Sequence, residues 1–212
     1  MKNIAESTVR RLSLYLRFLE EFDARAQETI SSGELARLGG TTSAQVRKDL
    51  SNFGSFGKRG LGYNVKELID AIREILGLHR PWSVVIIGAG KIGAALAQYR
   101  GFSNRGFRVV GVYDRAPARI GQRLDGLTIR AEGELERDIT KLRPEIAVLC
   151  VPSEAAQALL DRVAKAGIRA VLNFAPAPLR VPKGMTMRAV NMATELEILT
   201  FALTNDLESG PR

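Results

Sequence analysis

The first third of the chain shows apolar residues at helical spacing. The pattern predicts an amphipathic helix from Val9 to Phe22, with Ser7 or Thr8 as its N-cap. Its apolar stripe consists of Val9, Leu12, Leu16 and Leu19. Arg10, Arg11 and Arg17 are expected on or beside the exposed face, where the first two are candidates for contact with a polyanion.

Two short helices are predicted next, each opening with a capping-box pattern. Ser31-Ser32-Gly33-Glu34 predicts the start of the first helix, and Gly39-Gly40 predicts its end. Thr42-Ser43-Ala44-Gln45 predicts the start of the second, which Gly54 ends. Two short helices joined by a glycine-containing turn form the outline of a helix-turn-helix.

The segment after Gly54 predicts a wing. The stretch Ser55–Val65 alternates aromatic and basic side chains with three glycines, as in a tight hairpin. Asn64 then caps a further helix, which Gly77 ends. The order helix, helix, helix, hairpin, helix is that of a winged-helix module with an added C-terminal helix.

The periodicity changes at Gly77–Pro81, where a glycine, a proline and the start of a continuous apolar run coincide. Four such runs are typical of buried parallel strands: Trp82–Ile87, Val109–Tyr113, Ile146–Val151 and Ala170–Phe174. Helical patterns separate them at Ile92–Tyr99, Glu134–Leu142 and Glu154–Ala166. This alternation predicts an α/β fold with a Rossmann doubly wound parallel sheet.

A last helix is predicted from about Met192 to Asn205, with Leu196, Leu199 and Leu203 on one stripe. We therefore expect three parts: a winged-helix DNA-binding domain at 1–79, a nucleotide-binding Rossmann domain at 80–190, and a C-terminal dimerisation helix and tail at 191–212.

Composition narrows the class of protein. The chain has 212 residues and a formal charge of +8, which is compatible with a polyanionic partner without identifying one. One cysteine, Cys150, and one histidine, His79, exclude an intramolecular disulfide and a Cys/His metal cluster. No apolar run is long enough to span a bilayer, and charges interrupt the N-terminal apolar stretch, so we expect a cytoplasmic protein that needs no metal.

A nucleotide site is predicted at Gly88-Ala89-Gly90-Lys91-Ile92-Gly93, which fits G-x-G-x-x-G between a strand and a helix. Asp114 stands 21 residues after Gly93, at the end of the next strand, where an acid accepts hydrogen bonds from the adenosine ribose. An acid there favours NAD(H) over NADP(H). The strand ends at Val151-Pro152 and at Asn173-Phe174 are expected to face the same ligand.

The residues favour binding over catalysis at this site. A dehydrogenase needs a proton donor or acceptor beside the nicotinamide, yet His79 lies in the predicted linker. Lys91, Tyr99 and Cys150 remain as conceivable catalytic groups, although a cysteine in an apolar strand is typical of an inert buried thiol. No catalytic residue is therefore assigned.

A DNA site is predicted on the second helix of the helix-turn-helix. Arg47 and Lys48 lie opposite its apolar side, suited to guanine edges or phosphates, with Gln45 and Ser51 as auxiliaries. The tip of the predicted wing, Lys58-Arg59-Gly60, suits the phosphate backbone or the minor groove.

Taken together, these segments resemble those of the Rex-type redox-sensing transcriptional repressors over about residues 8–205. The resemblance rests on Val46–Ser51, Phe53–Tyr63, Gly88–Gly93, Val151–Gln157 and Leu172–Pro176, in that order. It implies a homodimer that binds a palindromic operator when NAD⁺ prevails and leaves it when NADH binds. It also implies that the C-terminal helix is swapped between subunits.

Individual roles follow from the same resemblance. Arg47 and Lys48 match base-reading positions, Lys58 and Arg59 match the wing, and the glycines and Asp114 match cofactor contacts. Tyr99 matches a tyrosine near the nicotinamide. One position departs from the pattern: some relatives pair an acid with an arginine of the first helix, but Asn191 cannot form that ion pair with Arg17.

Two alternatives remain open at this point. The first is an NAD-dependent oxidoreductase with an N-terminal protein-interaction domain. The second is a DNA-binding protein whose Rossmann domain senses another nucleotide, such as coenzyme A.

Overall fold

The computed structural model describes residues 4–57 and 61–208, and the chain divides into two compact units, Met1–Arg80 and Pro81–Arg212. The N-terminal unit has helices and short strands in the order α1 (Glu6–Asp23), β1 (Thr29–Ile30), α2 (Ser32–Leu38), α3 (Ser43–Ser51), β2 (Tyr63–Asn64) and α4 (Val65–Ile75). The C-terminal unit runs β3 (Trp82–Ile87), α5 (Lys91–Ala97), α6 (Arg100–Asn104), β4 (Phe107–Asp114), β5 (Arg123–Leu124), β6 (Leu127–Ala131), α7 (Leu135–Leu142), β7 (Ile146–Leu149), α8 (Ser153–Lys165), β8 (Ala170–Asn173), β9 (Thr186–Ala189) and α9 (Met192–Glu208).

The N-terminal unit is the expected winged-helix arrangement, built around one apolar core. The inward stripe of α1 packs with apolar residues of α2, α3 and α4, all of which are 8% exposed or less. Its members include Leu12, Leu16, Leu19, Leu35, Val46, Leu50, Leu68 and Ile72. The spacing of the apolar residues thus fixes which face of α3 is buried and which is left for solvent.

Local capping interactions define where these helices begin. Ser31 and Glu34 form the reciprocal capping box of α2, and Asn64 accepts a hydrogen bond from the Glu67 N–H at the start of α4. The predicted cap of α1 by Ser7 or Thr8 is wrong, because α1 begins at Glu6 after Ala5 and no side chain caps it. Thr8 is inside the helix, where its hydroxyl donates to Asp49.

The wing differs from the expected hairpin in the part that is described. The strand β2 pairs antiparallel with β1, with Ile30 opposite Tyr63. The described residues Gly54–Gly57 form no strand. The predicted wing tip, Lys58, Arg59 and Gly60, lies outside the described residues.

The C-terminal unit contains a seven-stranded sheet over its described residues, in the order β5-β6-β4-β3-β7-β8-β9. All pairs are parallel except β5 with β6. Numbered along the chain, the six parallel strands follow the order 3-2-1-4-5-6, which is the doubly wound Rossmann topology. The predicted fold class is therefore confirmed.

The central strands are buried on both faces, which explains their continuous apolar runs. Val85, Ile87 and Leu149 pack toward α7 and α8, while Ile86 and Val148 pack in the opposite layer, which includes Ala97 of α5. The order of the central strands places the carboxyl ends of β3, β4 and β7 side by side, and the candidate nucleotide site lies there.

Candidate functional site

A cleft of about 510 Å³ lies where the carboxyl ends of β3, β4 and β7 meet. The strand order of this doubly wound sheet reverses between β3 and β7. The loops that follow these two strands leave in opposite directions and open a crevice between them. Its lining is Gly88, Gly90, Lys91, Ile92, Asp114, Arg115, Ala116, Arg119, Glu132, Cys150, Val151, Pro152 and Ala155.

The glycines of this cleft meet two different requirements. Gly88 has φ +95°, and a Cβ there would collide with the Cys150 carbonyl, so the loop itself requires glycine. A Cβ at Gly93 would collide with the Gly88 carbonyl, which explains the close approach of α5 to the loop. Gly90 is the exception, because its φ is −68° and a Cβ there would meet no atom of the described chain within 4 Å. No steric contact within the described chain requires glycine at position 90, and open space is left there at the start of α5.

Asp114 ends β4 at the edge of the cleft and is only 5% exposed. Its Oδ2 accepts hydrogen bonds from the Ala89 N–H at 2.7 Å and from Arg119 at 3.1 Å, and its Oδ1 accepts one from the Ala116 N–H at 2.8 Å. Burial alone would raise the pKa of Asp114, but these hydrogen bonds hold it below its ordinary value. The carboxyl group is therefore ionised and acts only as a hydrogen-bond acceptor.

Seven of the predicted cofactor residues line this one cleft: Gly88, Gly90, Lys91, Ile92, Asp114, Val151 and Pro152. Ala89 contributes its backbone N–H to Asp114, and Gly93 is buried beneath the loop. The glycine motif, the acid and the end of β7 thus lie together although 64 residues of sequence separate their extremes.

Three predicted cofactor residues lie elsewhere. Tyr99 is 58% exposed and lines a separate depression, with its ring 5.4 Å from that of Phe102. Asn173 is fully buried, and its amide exchanges hydrogen bonds with the backbone of Ala175. Phe174 packs on the apolar layer of the sheet. A role for these three in ligand binding stays a prediction.

Several residues of the cleft were not among the predicted cofactor residues. Arg119 forms an ion pair with Asp114, and Glu132 forms one with Arg162 of α8. Cys150 lines the cleft, and burial raises the pKa of its thiol to about 12, so it stays a protonated and weak nucleophile at neutral pH. Position after a strand end was the one available signal for Arg115 and Ala116, whereas Cys150 was considered only as a catalytic group, inside the predicted strand Ile146–Val151.

The candidate DNA surface is the outer face of α3. Arg47, Lys48 and Ser51 are exposed there, and the Arg47 guanidinium donates to the Ser32 hydroxyl at 3.1 Å. Arg10 is also exposed, beside Glu6 one turn earlier in α1. These four side chains are exposed at the surface, where a partner can contact them.

Arg11 and Gln45 have different surroundings from the other predicted DNA residues. The Arg11 guanidinium binds the buried Asp49 carboxylate through two nitrogens, and the Gln45 amide donates to the same carboxylate at 2.8 Å. Both side chains are therefore engaged inside the N-terminal unit.

Asn191, the position that departs from the family pattern, is hydrogen-bonded within its own segment of the chain. Its side-chain oxygen accepts a hydrogen bond from the Ala193 N–H at the start of α9. Arg17 lies near Glu21 on the same face of α1, with 3.7 Å between the charged atoms.

The C-terminal helix is apolar yet exposed along its described side chains. Its exposed apolar residues, each more than half accessible, are Met192, Leu196, Ile198, Leu199, Phe201 and Leu203. The same unit carries an apolar depression of about 290 Å³ on the sheet, lined by Val84, Phe102, Phe107, Ile146, Val148, Ala170, Val171, Leu172, Thr186 and Arg188. Apolar surface of this extent is typical of an interaction site.

Two other classes of feature are absent from the described ranges. Helices with the length and hydropathy of a membrane span are absent there. The same residues contain no cluster of three or more His, Cys, Asp or Glu side chains suited to a metal ion.

Two family models match the chain. Residues 79–177 match the model described as "CoA binding domain", and residues 3–51 match "Putative DNA-binding protein N-terminus". The two matches fall on the cleft and on the helix-turn-helix, respectively.

Full-length relatives give a sharper comparison. The chain is 46% identical over 200 residues to the redox-sensing transcriptional repressor Rex of Pelotomaculum thermopropionicum, and the match covers 94% of each protein. It is similar to the crystal structure of RSP with beta-NAD⁺ and operator DNA, with TM-score 0.91, 36% identity and 97% and 95% coverage of the two chains. For RSP with beta-NADH, the TM-score is 0.89 at 34% identity, and 97% of each chain is covered.

Proposed function

The chain belongs to the Rex family of redox-sensing transcriptional repressors, and we propose that it binds operator DNA and releases it when NADH enters its Rossmann cleft. The observation that carries the proposal is the combination of the Gly90 opening and Asp114 in one cleft with an exposed basic helix, α3, in the other unit. The names of the relatives favour a regulator over an oxidoreductase.

The cleft fits a dinucleotide. The open space at Gly90 lies at the start of α5, where backbone N–H groups and the helix dipole favour the pyrophosphate. Asp114 accepts three hydrogen bonds among the described residues. Its carboxylate can accept a further hydrogen bond, from a ribose hydroxyl. We infer that Gly88, Gly90 and Asp114 hold the adenosine half, and that the ligand is NAD(H) because an acid disfavours a 2′-phosphate.

The DNA contacts that we propose centre on α3. Arg47 and Lys48 project from its exposed face, where they reach base edges in the major groove, and Ser51 supports them at a phosphate. Lys58, Arg59 and Gly60 complete the proposal as the wing on the phosphate backbone, and Arg10 as an outer phosphate contact. Phosphate contacts set position and affinity, whereas base contacts set the sequence that is read.

We propose that the functional unit is a homodimer, with a winged-helix domain at 1–79, a Rossmann domain at 80–190 and a dimerisation segment at 191–212. The exposed apolar face of α9 and the apolar depression on the sheet support an exchange of α9 between subunits. A two-fold dimer in turn accounts for a palindromic operator. A cytoplasmic location follows from this role.

The proposed switch requires that NADH distinguishes two states of the dimer. NADH favours a closed dimer whose two α3 helices no longer match successive major grooves, whereas NAD⁺ leaves the DNA-competent spacing populated. A ligand that binds both states equally shifts nothing, so the affinity of NADH must differ between them. By linkage, operator DNA lowers NADH affinity by the same factor.

The test is a titration of the protein into a labelled palindromic operator at fixed salt, alone and with NADH, NAD⁺ or coenzyme A. Salt is held constant because counterion release changes DNA affinity strongly. We expect NADH to release the operator while NAD⁺ and coenzyme A leave it bound, with a shuffled duplex as the control for specificity. Release by coenzyme A alone would replace NADH as the ligand, and release by none of the three would refute the redox switch.

A further inference from the structure

Asp49 is a carboxylate buried inside the helix-turn-helix. It lies on α3 and is 1% exposed, on the side of the helix that faces α1. Among the described residues it accepts five hydrogen bonds, all from side chains of α1 and α3. The donors are Thr8 at 3.3 Å, Arg11 at 2.6 and 2.7 Å, Tyr15 at 3.1 Å and Gln45 at 2.8 Å.

The pairing of Asp49 with Arg11 is two-pronged. Arg11 Nε contacts Asp49 Oδ2 and Arg11 Nη2 contacts Asp49 Oδ1, so the planar guanidinium faces the carboxylate with both atoms of its fork. Such a pair fixes orientation as well as distance, which a single ammonium group does not. The contact joins residues 38 positions apart in sequence and thereby fixes α3 against α1.

The charged state of this cluster is stable at neutral pH. Burial on its own would raise the pKa of Asp49, but hydrogen bonds from Arg11, Gln45 and Tyr15 hold that pKa below its ordinary value. The hydrogen bond with Asp49 raises the pKa of Arg11. An ionised carboxylate with all its acceptor positions used is a rigid anchor.

The anchor lies behind the residues that face the operator. Arg47 and Lys48 immediately precede Asp49 in α3, so any rotation of the helix about its axis displaces all three side chains together. Direct readout of base edges depends on hydrogen-bond distances and angles, which tolerate little displacement. The orientation of α3 therefore limits how well Arg47 and Lys48 read a sequence.

We propose that Asp49 is a positioning residue for operator reading, and that Arg11 and Gln45 act on DNA through Asp49 instead of contacting phosphates or bases. The proposal rests on the operator binding proposed above. Arg11 and Gln45, predicted from the sequence to contact DNA, thus support α3 from inside the N-terminal unit.

Arg11→Lys is the sharpest test, because it keeps the positive charge and removes the two-pronged geometry. A lysine still contacts a phosphate as a point charge, so a phosphate-binding Arg11 would lose little affinity on this substitution. If Arg11 instead positions α3, the substitution breaks its two-pronged contact with Asp49. We expect operator affinity to fall roughly tenfold, while affinity for a shuffled duplex stays within about twofold of the wild type.

Salt dependence separates the two roles with a second variant. Arg11→Gln removes the charge from both subunits of the proposed dimer, so the loss of two phosphate contacts would reduce the magnitude of the slope of log affinity against log salt by about 1.8. We expect that slope to be unchanged while the affinity itself falls. Arg10→Gln is the matched comparison, since it removes the same charge from the adjacent exposed position and leaves Asp49 fully bonded. Because Arg10 is proposed as a phosphate contact, this variant should show the reduced slope that Arg11→Gln lacks.

Gln45→Met tests the second residue with a smaller perturbation of the fold. If Gln45 read a base, the variant would lose its preference at one base pair of the operator. We expect a uniform, roughly threefold loss of affinity across a set of operators with single base-pair changes, because the ion pair of Arg11 and Asp49 remains. Thermal melting of each variant verifies that the N-terminal unit is folded at the assay temperature.

The possible outcomes are distinct. Wild-type affinity in Arg11→Lys, a reduced salt slope in Arg11→Gln, or a lost preference at one base pair in Gln45→Met would each overturn the inference while leaving operator binding intact. Failure of the wild-type protein to prefer a palindromic operator over the shuffled duplex would overturn the proposed function and this inference with it.

Discussion

Asp49 in the N-terminal unit and Asp114 in the C-terminal unit are both buried carboxylates, but their partners differ in kind. Asp49 is bonded by four side chains that arrive from two helices. Asp114 is bonded by two backbone N–H groups of neighbouring loops and by the half-exposed Arg119. The first carboxylate is saturated and enclosed, whereas the second lines an open cleft.

The difference indicates what each acid does. Side-chain donors tie separate helices to one another, so a carboxylate that collects them fixes tertiary structure. Backbone donors belong to the loop that carries them, so a carboxylate bonded in that way holds the loop in shape and keeps acceptor capacity for a ligand. The same residue type thus supports DNA reading in one unit and ligand recognition in the other.

The largest expected effect comes from removing the charge of the enclosed carboxylate, Asp49. Asp49→Asn leaves Arg11 without its charge partner and should lower the free energy of unfolding by about 3 kcal/mol, the low end for a buried pair because Arg11 keeps some contact with water. Urea denaturation followed by circular dichroism measures it. A loss below about 1 kcal/mol would show that the cluster is not an anchor.

Asp114→Asn should separate binding from stability. An amide presents one acceptor oxygen in place of two, and the charge-assisted hydrogen bond to the ribose is lost, so NADH affinity should fall about 10-fold to 100-fold. The free energy of unfolding should fall by only about 1 to 2 kcal/mol, less than for Asp49→Asn. Calorimetric titration with NADH gives the first quantity, and the same urea experiment gives the second. Unchanged NADH affinity would remove Asp114 from the ligand site.

Gly90→Ala extends the comparison to the backbone of the cleft. A Cβ at this position meets nothing within 4 Å in the described chain, so stability should change by less than about 0.5 kcal/mol. The same methyl group occupies the space for the pyrophosphate, so NADH affinity should fall at least roughly tenfold. Gly33→Ala on α2 is a matched control, since its Cβ meets only the Ser31 hydroxyl, at 3.7 Å. Full NADH affinity in Gly90→Ala would place the pyrophosphate elsewhere.

Acid stability gives the smallest effect and involves both carboxylates. The pKa of each is held below its ordinary value of 3.8 in the folded protein. A depressed folded pKa contributes stability above the unfolded pKa, and this contribution is lost as the pH falls through the folded pKa. The free energy of unfolding should therefore stay nearly level between pH 7 and about 5 and decline below about pH 4. A decline of the same steepness in a variant carrying both Asp49→Asn and Asp114→Asn would assign the acid sensitivity to other groups.

Much of the fold was predictable because local rules suffice for it. The bounds of β3, the capping box at Ser31 and the cap at Asn64 agree with the structure, since a continuous apolar run and a short-range hydrogen bond are both local properties. The strands β5, β6 and β9 escaped prediction. β5 and β9 are short edge strands, and β6, next to β5, is only partly buried, so all three carry weak patterns and are defined by their neighbours in the sheet.

The candidate site divides in the same way. The glycine motif and Asp114 were readable because a conformational requirement and an acid at a fixed spacing are properties of the chain. Arg119 and Glu132 were not, because the sequence does not indicate which loops converge on the cleft. Their presence depends on strand order, which brings the loops together.

The sequence by itself determined the order of the main helices and central strands, the buried face of α3 and the position of the nucleotide motif, because hydrophobic periodicity and glycine geometry act over a few residues. Only the tertiary structure decided which polar side chains share a partner. Arg11 and Gln45 are residue types suited to DNA contacts, yet in the folded N-terminal unit both donate to Asp49. A carboxylate removed from water needs hydrogen-bond donors to offset its lost hydration. Packing between segments distant in the chain decides which donors lie close enough.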